Sequence, residues 1–277
     1  MAITSPQVHI ARTQICEIGR RMYAKGFIAS NDGNISIKID NRRLLITPAG
    51  VSKGFLEPDD IIMCDMSGEV IAGTSKPSSE IKLHLEVYRK RDDVGAVVHA
   101  HPPYATGFAV ARIPLTICIL PEVVISIGSI PLASYATPST DELAEVVSPH
   151  LEKNNAILLA NHGTLTIGED VFEAYYVLER IEHLAKVSLI ARQLGGARPL
   201  GEEELKKLAE VSGGTVEVGE IEKRCSNCGV CGKPVNNKLG SQDTKVGDNQ
   251  GERNGLKVDN NVISSIVDDV VKKIAEG

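Results

Sequence analysis

The sequence predicts an α/β domain in which a mostly antiparallel sheet is covered by helices. Three observations carry that expectation. Strand-like segments fall in consecutive groups, not in strict strand–helix alternation. Segments of helical periodicity flank those groups. The 277 residues are 42% hydrophobic with only 4% aromatic and no Trp, so a full-sized core is affordable but must be aliphatic.

Residues 8–25 show helical periodicity with Gly26 as a stop. The turn signal Asn31-Asp32-Gly33 leads into an alternating strand at 34–39. Short strands follow at 44–47 and 61–65, and Ser67-Gly68 turns the chain into 69–72. Residues 79–91 read as a helix capped by Ser78 or Ser79. The apolar run at 94–99 is a strand, with further strands expected near 115–120 and 130–133. A helix starts at Ser139 or Thr140 and runs toward Leu151. Strands at 156–160 and 165–167 precede a long helix at 171–194, ended by Gly195-Gly196.

A formal net charge of −6 argues against general nucleic-acid binding. No apolar run approaches the roughly 20 residues that span a bilayer, so no membrane partner is expected. The opening stretch MAITSPQVHIARTQ lacks the basic-then-apolar layout of a signal peptide. A cytoplasmic chain with reduced thiols is expected, with Cys16, Cys64 and Cys118 as core positions.

The chemistry gathers around VGAVVHAHPP, residues 94–103. Side chains two apart on a strand share a face, so His99 and His101 project together, and Pro102-Pro103 ends the ladder. His162 follows the apolar strand of AILLANHGTLTIG in the same way, with Gly163 expected to permit a tight turn beside it. Three imidazoles delivered by two strand ends suit a metal with an open position. His9, His84, His150 and His183 read as surface or structural residues. Glu80 of KPSSEIKLH stands where a helix begins, as candidate acid/base; simple helix capping is the competing reading. SNDGNISI and ITPAGVSKG are further turn-rich candidates for anion binding, the latter through backbone N–H groups of Ala49-Gly50.

Together the ordered set DGNIS, ITPAGVSKG, SSEIKLHLEVY, VVHAHPP and ANHGTLTIGEDVFEAYYVLERIEHLAK resembles the class II aldolase and adducin-head family over roughly residues 8–212. That family includes fuculose- and rhamnulose-phosphate aldolases and ribulose-phosphate 4-epimerase. The resemblance implies a three-layer α/β/α sandwich, usually a homotetramer with sites at subunit interfaces. It implies one Zn2+ per subunit on His99, His101 and His162, with Glu80 as acid/base and ligand of the resting metal. It implies a phosphate cradle from Asn34, Gly50, Ser78 and Ser79. The implied activity is cleavage of fuculose 1-phosphate or rhamnulose 1-phosphate to dihydroxyacetone phosphate and lactaldehyde, with zinc as Lewis acid and no lysine intermediate. A 4-epimerase and a non-catalytic metal-binding module of the same fold are the alternatives.

Two departures stand out. Ala49 occupies the position before the glycine where many members have Thr or Ser. TICILPEVVISIG lacks the tyrosine that the bacterial fuculose enzyme places there, leaving Glu122 as a loose substitute. Adducin-like relatives without activity lack the histidine set, which this chain keeps.

Composition changes near residue 212. Residues 213–257 read as a polar linker carrying Cys225, Cys228 and Cys231. Their C-x2-C-x2-C spacing suits a second metal or an iron–sulfur cluster, although a closed site needs a fourth ligand. Residues 258–277 repeat apolar positions about every four residues, an amphipathic helix in want of a partner surface. That layout resembles the encapsulation peptides of bacterial microcompartment enzymes. It implies lumenal packaging on shell or co-packaged proteins; a helix packed on its own domain is the plain alternative.

Overall fold

The computed structural model describes residues 5–211. The expected linker with its cysteines and the expected helix at 258–277 lie outside the described residues.

Helix α1 (Ser5–Ala24) is followed by strands β1 (Asn34–Asp40), β2 (Arg43–Ile46), β3 (Ile62–Asp65) and β4 (Val70–Ala72). Next come α2 (Ile81–Lys90), β5 (Ala96–Ala100), α3 (Pro103–Val110), α4 (Pro121–Ser126), β6 (Leu132–Ala133) and α5 (Asp141–Val147). Strands β7 (Ala156–Leu159) and β8 (Gly163–Gly168) lead into α6 (Val171–Gln193) and α7 (Glu202–Val211). The eight strands form one sheet, ordered β4-β3-β2-β1-β5-β8-β7-β6. Every neighbouring pair is antiparallel except β6 with β7. The mostly antiparallel sheet read from the sequence is therefore present.

Alternation along the strands divides the core into layers. Ile35, Ile39, Ala96 and Val98 pack against Ile15, Ile18 and Met22 of α1 and Tyr175 and Leu178 of α6. On the opposite face, Leu44, Ile46, Val97, Leu165 and Ile167 pack against Leu83 and Val87 of α2 and Leu143 and Val147 of α5. Helix α3 joins the α6 side through Phe108 and Ala109, which meet Leu158 and Ile181. The result is a three-layer α/β/α sandwich.

One strand expected near 115–120 is absent. Only Leu115 pairs, in an isolated bridge to Ile130, and Pro121 then opens α4. Proline presets the helical φ and needs no N–H partner at that position, which overrides the alternation of the preceding residues. The strand expected at 130–133 shrinks to Leu132–Ala133, paired with β7, while Ile130 bridges to Leu115 instead.

Helix α3 begins where no side chain of its own can cap it, since Pro102 is its N-cap. Glu182 of α6 does this from a distance. Its carboxylate accepts Tyr104 N–H at 3.0 Å and Ala105 N–H at 2.8 Å, satisfying donors that a helix start leaves orphaned. This fixes the chain that leaves His101. Glu182→Ala should lower unfolding stability by about 1–2 kcal/mol and Glu182→Gln by less, read by urea denaturation.

Candidate metal centre and phosphate cleft

Register builds the site. Asn34 of β1 lies opposite His99 of β5, so both face the α2 side of the sheet. His101 stands just past the end of β5, on the same face. His162 sits in the turn between β7 and β8. Strands β5 and β8 pair directly, which brings the two strand ends together.

The three imidazoles converge. Each offers a nitrogen within 4.8 Å of the others, and ring centroids are 4.6–5.0 Å apart. His99 Nδ1 donates to the Thr164 carbonyl at 2.9 Å, since a carbonyl can only accept. In a neutral ring Nε2 is then a bare lone pair. It lies 3.0 Å from His101 Nε2, whose Nδ1 faces Asp32 Oδ2 at 3.4 Å. Two bare nitrogens aimed at one point repel unless a cation stands between them. Zinc–nitrogen bonds of tetrahedral geometry separate two such atoms by about 3.3 Å.

Glu80 closes the set. It occupies the N-cap position of α2 but makes no side-chain cap bond. Ser78 Oγ accepts the Glu80 N–H at 3.3 Å instead. The sequence suggested Ser78 or Ser79 as the cap; the helix starts two residues later, at Ile81, and the Glu80 carboxylate is turned toward the histidines. Its Oε2 lies 3.1 Å from His99 Nε2 and its Oε1 3.3 Å from His162 Nε2. Plain capping is thus not what this carboxylate does.

The electrostatics suit a cation. Burial works against the Glu80 charge, yet the facing imidazoles of His99 and His162 and the Asn34 amide hold its carboxyl down at about 2. Burial pushes His99 down to about 3 and also lowers His162. At neutral pH these are neutral nitrogen donors beside one carboxylate, the protonation states that metal ligands need. Glu80 Oε1 and His162 Nδ1 are buried without a hydrogen-bond partner. Such orphans are costly, and a divalent ion on this donor set would engage the carboxylate oxygen. The residues therefore fit a metal.

Gly163 works differently from the expectation. The left-handed residue of the turn is Asn161, at φ 56°. Gly163 is needed because a Cβ there would lie 2.4 Å from the Ala100 carbonyl oxygen and 2.6 Å from His101 Cδ2. Gly33, by contrast, does adopt a left-handed φ of 72°.

A cleft of about 220 Å³ opens from the metal centre. Glu80, His101 and His162 line it together with Asn34, Gly50, Ser78 and Ser79. The bridge between Pro48 and Pro77 sets the two loops side by side. The Ala49 N–H is not available as suggested, because it donates to the Lys76 carbonyl. Asn34 is also engaged, its amide donating to Glu80 Oε2 at 2.9 Å. Glu122 lines a separate cavity with Glu179 and His183.

The sequence reading missed Lys53. It is the only Lys or Arg among the described residues lining the cleft, and its ammonium donates to the Asn31 and Val51 carbonyls at 2.5 and 2.9 Å. Burial lowers its pKa to about 8, so it stays largely charged at neutral pH. The SKG of ITPAGVSKG was the available signal, but sequence alone does not separate a buried lysine from a solvated one.

A family model described as Class II Aldolase and Adducin N-terminal domain matches residues 13–189. The chain belongs to this family. An L-fuculose phosphate aldolase of Methanococcus maripaludis is 37% identical over 182 residues, covering 66% of this chain and 98% of the relative. A 3-oxo-tetronate 4-phosphate decarboxylase of Haemophilus influenzae is 33% identical over 179 residues, 62% of this chain and 83% of the relative. A solved structure of L-fuculose 1-phosphate aldolase superposes with TM-score 0.68 at 31% identity, covering 76% of this chain and 97% of that one. Class II aldolases are metal dependent, and the histidine group supplies the matching donors here. Among the described residues, no helix is long and apolar enough to cross a membrane.

Two outcomes follow for this aldolase domain. Gly163→Ala should displace His101 and weaken binding of a divalent metal by about tenfold or more, measured with added Zn2+ in competition with a chromophoric chelator. In metal-free protein, burial sets His84 at about 4 and His99 at about 3, both below the ordinary 6.5. Between pH 6.5 and 4 the unfolded chain therefore binds more protons. Stability should be full above about pH 6.5 and fall on acidification, approaching about 1.4 kcal/mol per pH unit for each group. Urea midpoints from pH 7.5 to 4.5 that stayed level would contradict this.

Proposed function

We propose that this class II aldolase domain cleaves a ketose 1-phosphate, fuculose 1-phosphate or rhamnulose 1-phosphate, to dihydroxyacetone phosphate and lactaldehyde. One observation carries the reading. Glu80 faces His99 and His162 in the same narrow cleft that Gly50, Ser78 and Ser79 line. A ketose phosphate needs that combination, a cradle for the phosphoryl group beside an acid/base at the carbon chain. The aldolase named among the relatives supports the same substrate class.

His99, His101 and His162 would hold Zn2+, with Glu80 as a further ligand at rest. A divalent cation there supplies Lewis acidity to the substrate oxygens. In cleavage, the C4 hydroxyl gives its proton to water, the C3–C4 bond breaks and its electron pair stays with C3. C4 leaves as the aldehyde carbon. Glu80, a carboxylate at rest, takes up a proton from water and hands it to C3, completing dihydroxyacetone phosphate. In condensation the same group removes that proton, which the carboxylate form that Glu80 holds at neutral pH is suited to do. Asn34 steadies the carboxylate. Gly50, Ser78 and Ser79 would contact the phosphoryl group, and Lys53 adds positive charge at that end of the cleft.

The decarboxylase among the relatives favours a second reading. Loss of CO2 from a 3-oxo acid phosphate also leaves an electron pair on carbon beside a carbonyl, and Glu80 could protonate it. A ribulose 5-phosphate 4-epimerase would break and re-form the same bond on the other face.

The proposal extends to assembly. The domain would act as a homotetramer in the bacterial cytoplasm, housed in a microcompartment through residues 258–277. Cys225, Cys228 and Cys231 would hold a second metal or cluster. A truncation lacking 258–277 should lose co-purification with shells.

The deciding assay offers fuculose 1-phosphate, rhamnulose 1-phosphate, ribulose 5-phosphate and a 3-oxo-tetronate 4-phosphate separately to zinc-loaded protein. Dihydroxyacetone phosphate with lactaldehyde is expected, abolished by chelator and reduced about 10²- to 10⁴-fold by Glu80→Gln. CO2 or xylulose 5-phosphate as the sole product would replace this reading, and an undiminished Glu80→Gln would remove Glu80 from it.

A further inference from the structure

Behind Asn34 runs a buried polar chain that the proposed reaction does not itself use. Tyr88 Oη lies 2.7 Å from Ser36 Oγ, and Ser36 Oγ 2.6 Å from His84 Nδ1. His84 Nε2 lies 2.5 Å from Asn34 Oδ1, and Asn34 Nδ2 2.9 Å from Glu80 Oε2. All five residues are buried, Ser36 and His84 completely. The strand period explains the alignment. Asn34 and Ser36 share the α2 face of β1, and His84 and Tyr88 are one helical turn apart on α2.

The chain has one consistent direction. A carboxylate only accepts, so the Asn34 amide nitrogen donates to Glu80 and its carbonyl oxygen faces His84. That oxygen also only accepts, so His84 carries its proton on Nε2. A neutral imidazole then has Nδ1 as acceptor, and Ser36 O–H donates to it. The Ser36 oxygen in turn receives the Tyr88 O–H. Burial keeps His84 neutral well below physiological pH. Every group hands a proton donor onward, from Tyr88 to Glu80.

We propose that His84 is a positioning residue for the metal centre: backed by Ser36 and Tyr88, it fixes the orientation of the Asn34 amide. That amide in turn pins Glu80 Oε2 and leaves Oε1 turned toward His162. Without an Nε2–H at His84, the Asn34 amide is held at its Glu80 end alone, and only repulsion between its oxygen and the carboxylate opposes a flip. The inference rests on the metal-site part of the proposed function and not on the identity of the sugar.

The test uses the full chain and reads Co2+ binding without substrate, so its failure is distinct from failure of the aldolase reading. Long-range 1H–15N correlation on histidine-labelled protein should show His84 as the Nε2–H tautomer. His84→Leu should weaken Co2+ binding about tenfold and lower kcat with little change in KM. His84→Gln should restore binding to within about threefold, because its amide can donate to Asn34 and accept from Ser36. Should the leucine variant not fold, Ser36→Ala carries the comparison, since it releases the tautomer and should weaken Co2+ in the same direction. An Nδ1–H tautomer at His84 overturns the proposal. So does wild-type Co2+ affinity in His84→Leu or Ser36→Ala, or a glutamine variant no better than leucine.

Discussion

A buried carboxylate is the constraint around which this site is arranged. Glu80 is only 7% exposed and carries its charge. An unpaired charge in such a place is costly, so its surroundings must supply donors or cations. The fold supplies one hydrogen-bond donor and the nitrogen ligands that would hold a cation. Asn34 donates from β1, and His99 and His162 face the carboxylate from two strand ends. None of the three is near Glu80 in sequence. The antiparallel register of β1, β5 and β8 brings them together, and a one-residue slip in any of these pairings would turn its side chain to the other face.

The sheet also sets which nitrogen His99 presents. His99 is held by a backbone carbonyl of the adjacent strand, not by a side chain, so its orientation is tied to the ladder itself. The approach of β8 to β5 is close enough that Gly163 has no room for a Cβ beside Ala100 and His101. Strand β5 and the ends of β5 and β8 thus place the nitrogen donors, while loops line the other end of the cleft. That division suits a centre whose donor geometry must be fixed beside a cleft that must admit a ligand.

Much of this was legible in the sequence because it follows short-range rules. His-x-His at a strand end shares a face by the period of two, and a proline pair ends the strand. The consecutive strand groups and the shared face of His99 and His101 follow from such patterns, whereas the role of Glu80 was implied only by the family resemblance, capping being the plain local reading. What was not legible depends on long-range packing. Nothing local in 115–120 says that Pro121 will end a potential strand by starting a helix. Nothing local at Glu182 says that it caps a helix some eighty residues earlier in the chain. His84 was read as surface or structural; it is structural, but only its partners on β1 show what it holds. Gly163 was read as a turn residue, whereas its role is steric and is set by a strand sixty residues away.

The buried polar chain between α2 and β1 has a cost. Five polar side chains occupy an interface where apolar residues of similar volume would pack as well and need no partners. A half-satisfied network would be worse than an apolar one. Here each contact pairs a donor with an acceptor, so the penalty is largely offset, but offsetting a penalty does not explain why the network is there. Its geometry does. An apolar α2–β1 interface would leave the Asn34 amide held by Glu80 alone, with no partner for its carbonyl oxygen. The network holds Asn34 in that orientation from both ends of its amide. The same helix that carries His84 and Tyr88 also begins at Glu80, so the element that sets the orientation also places the group being oriented.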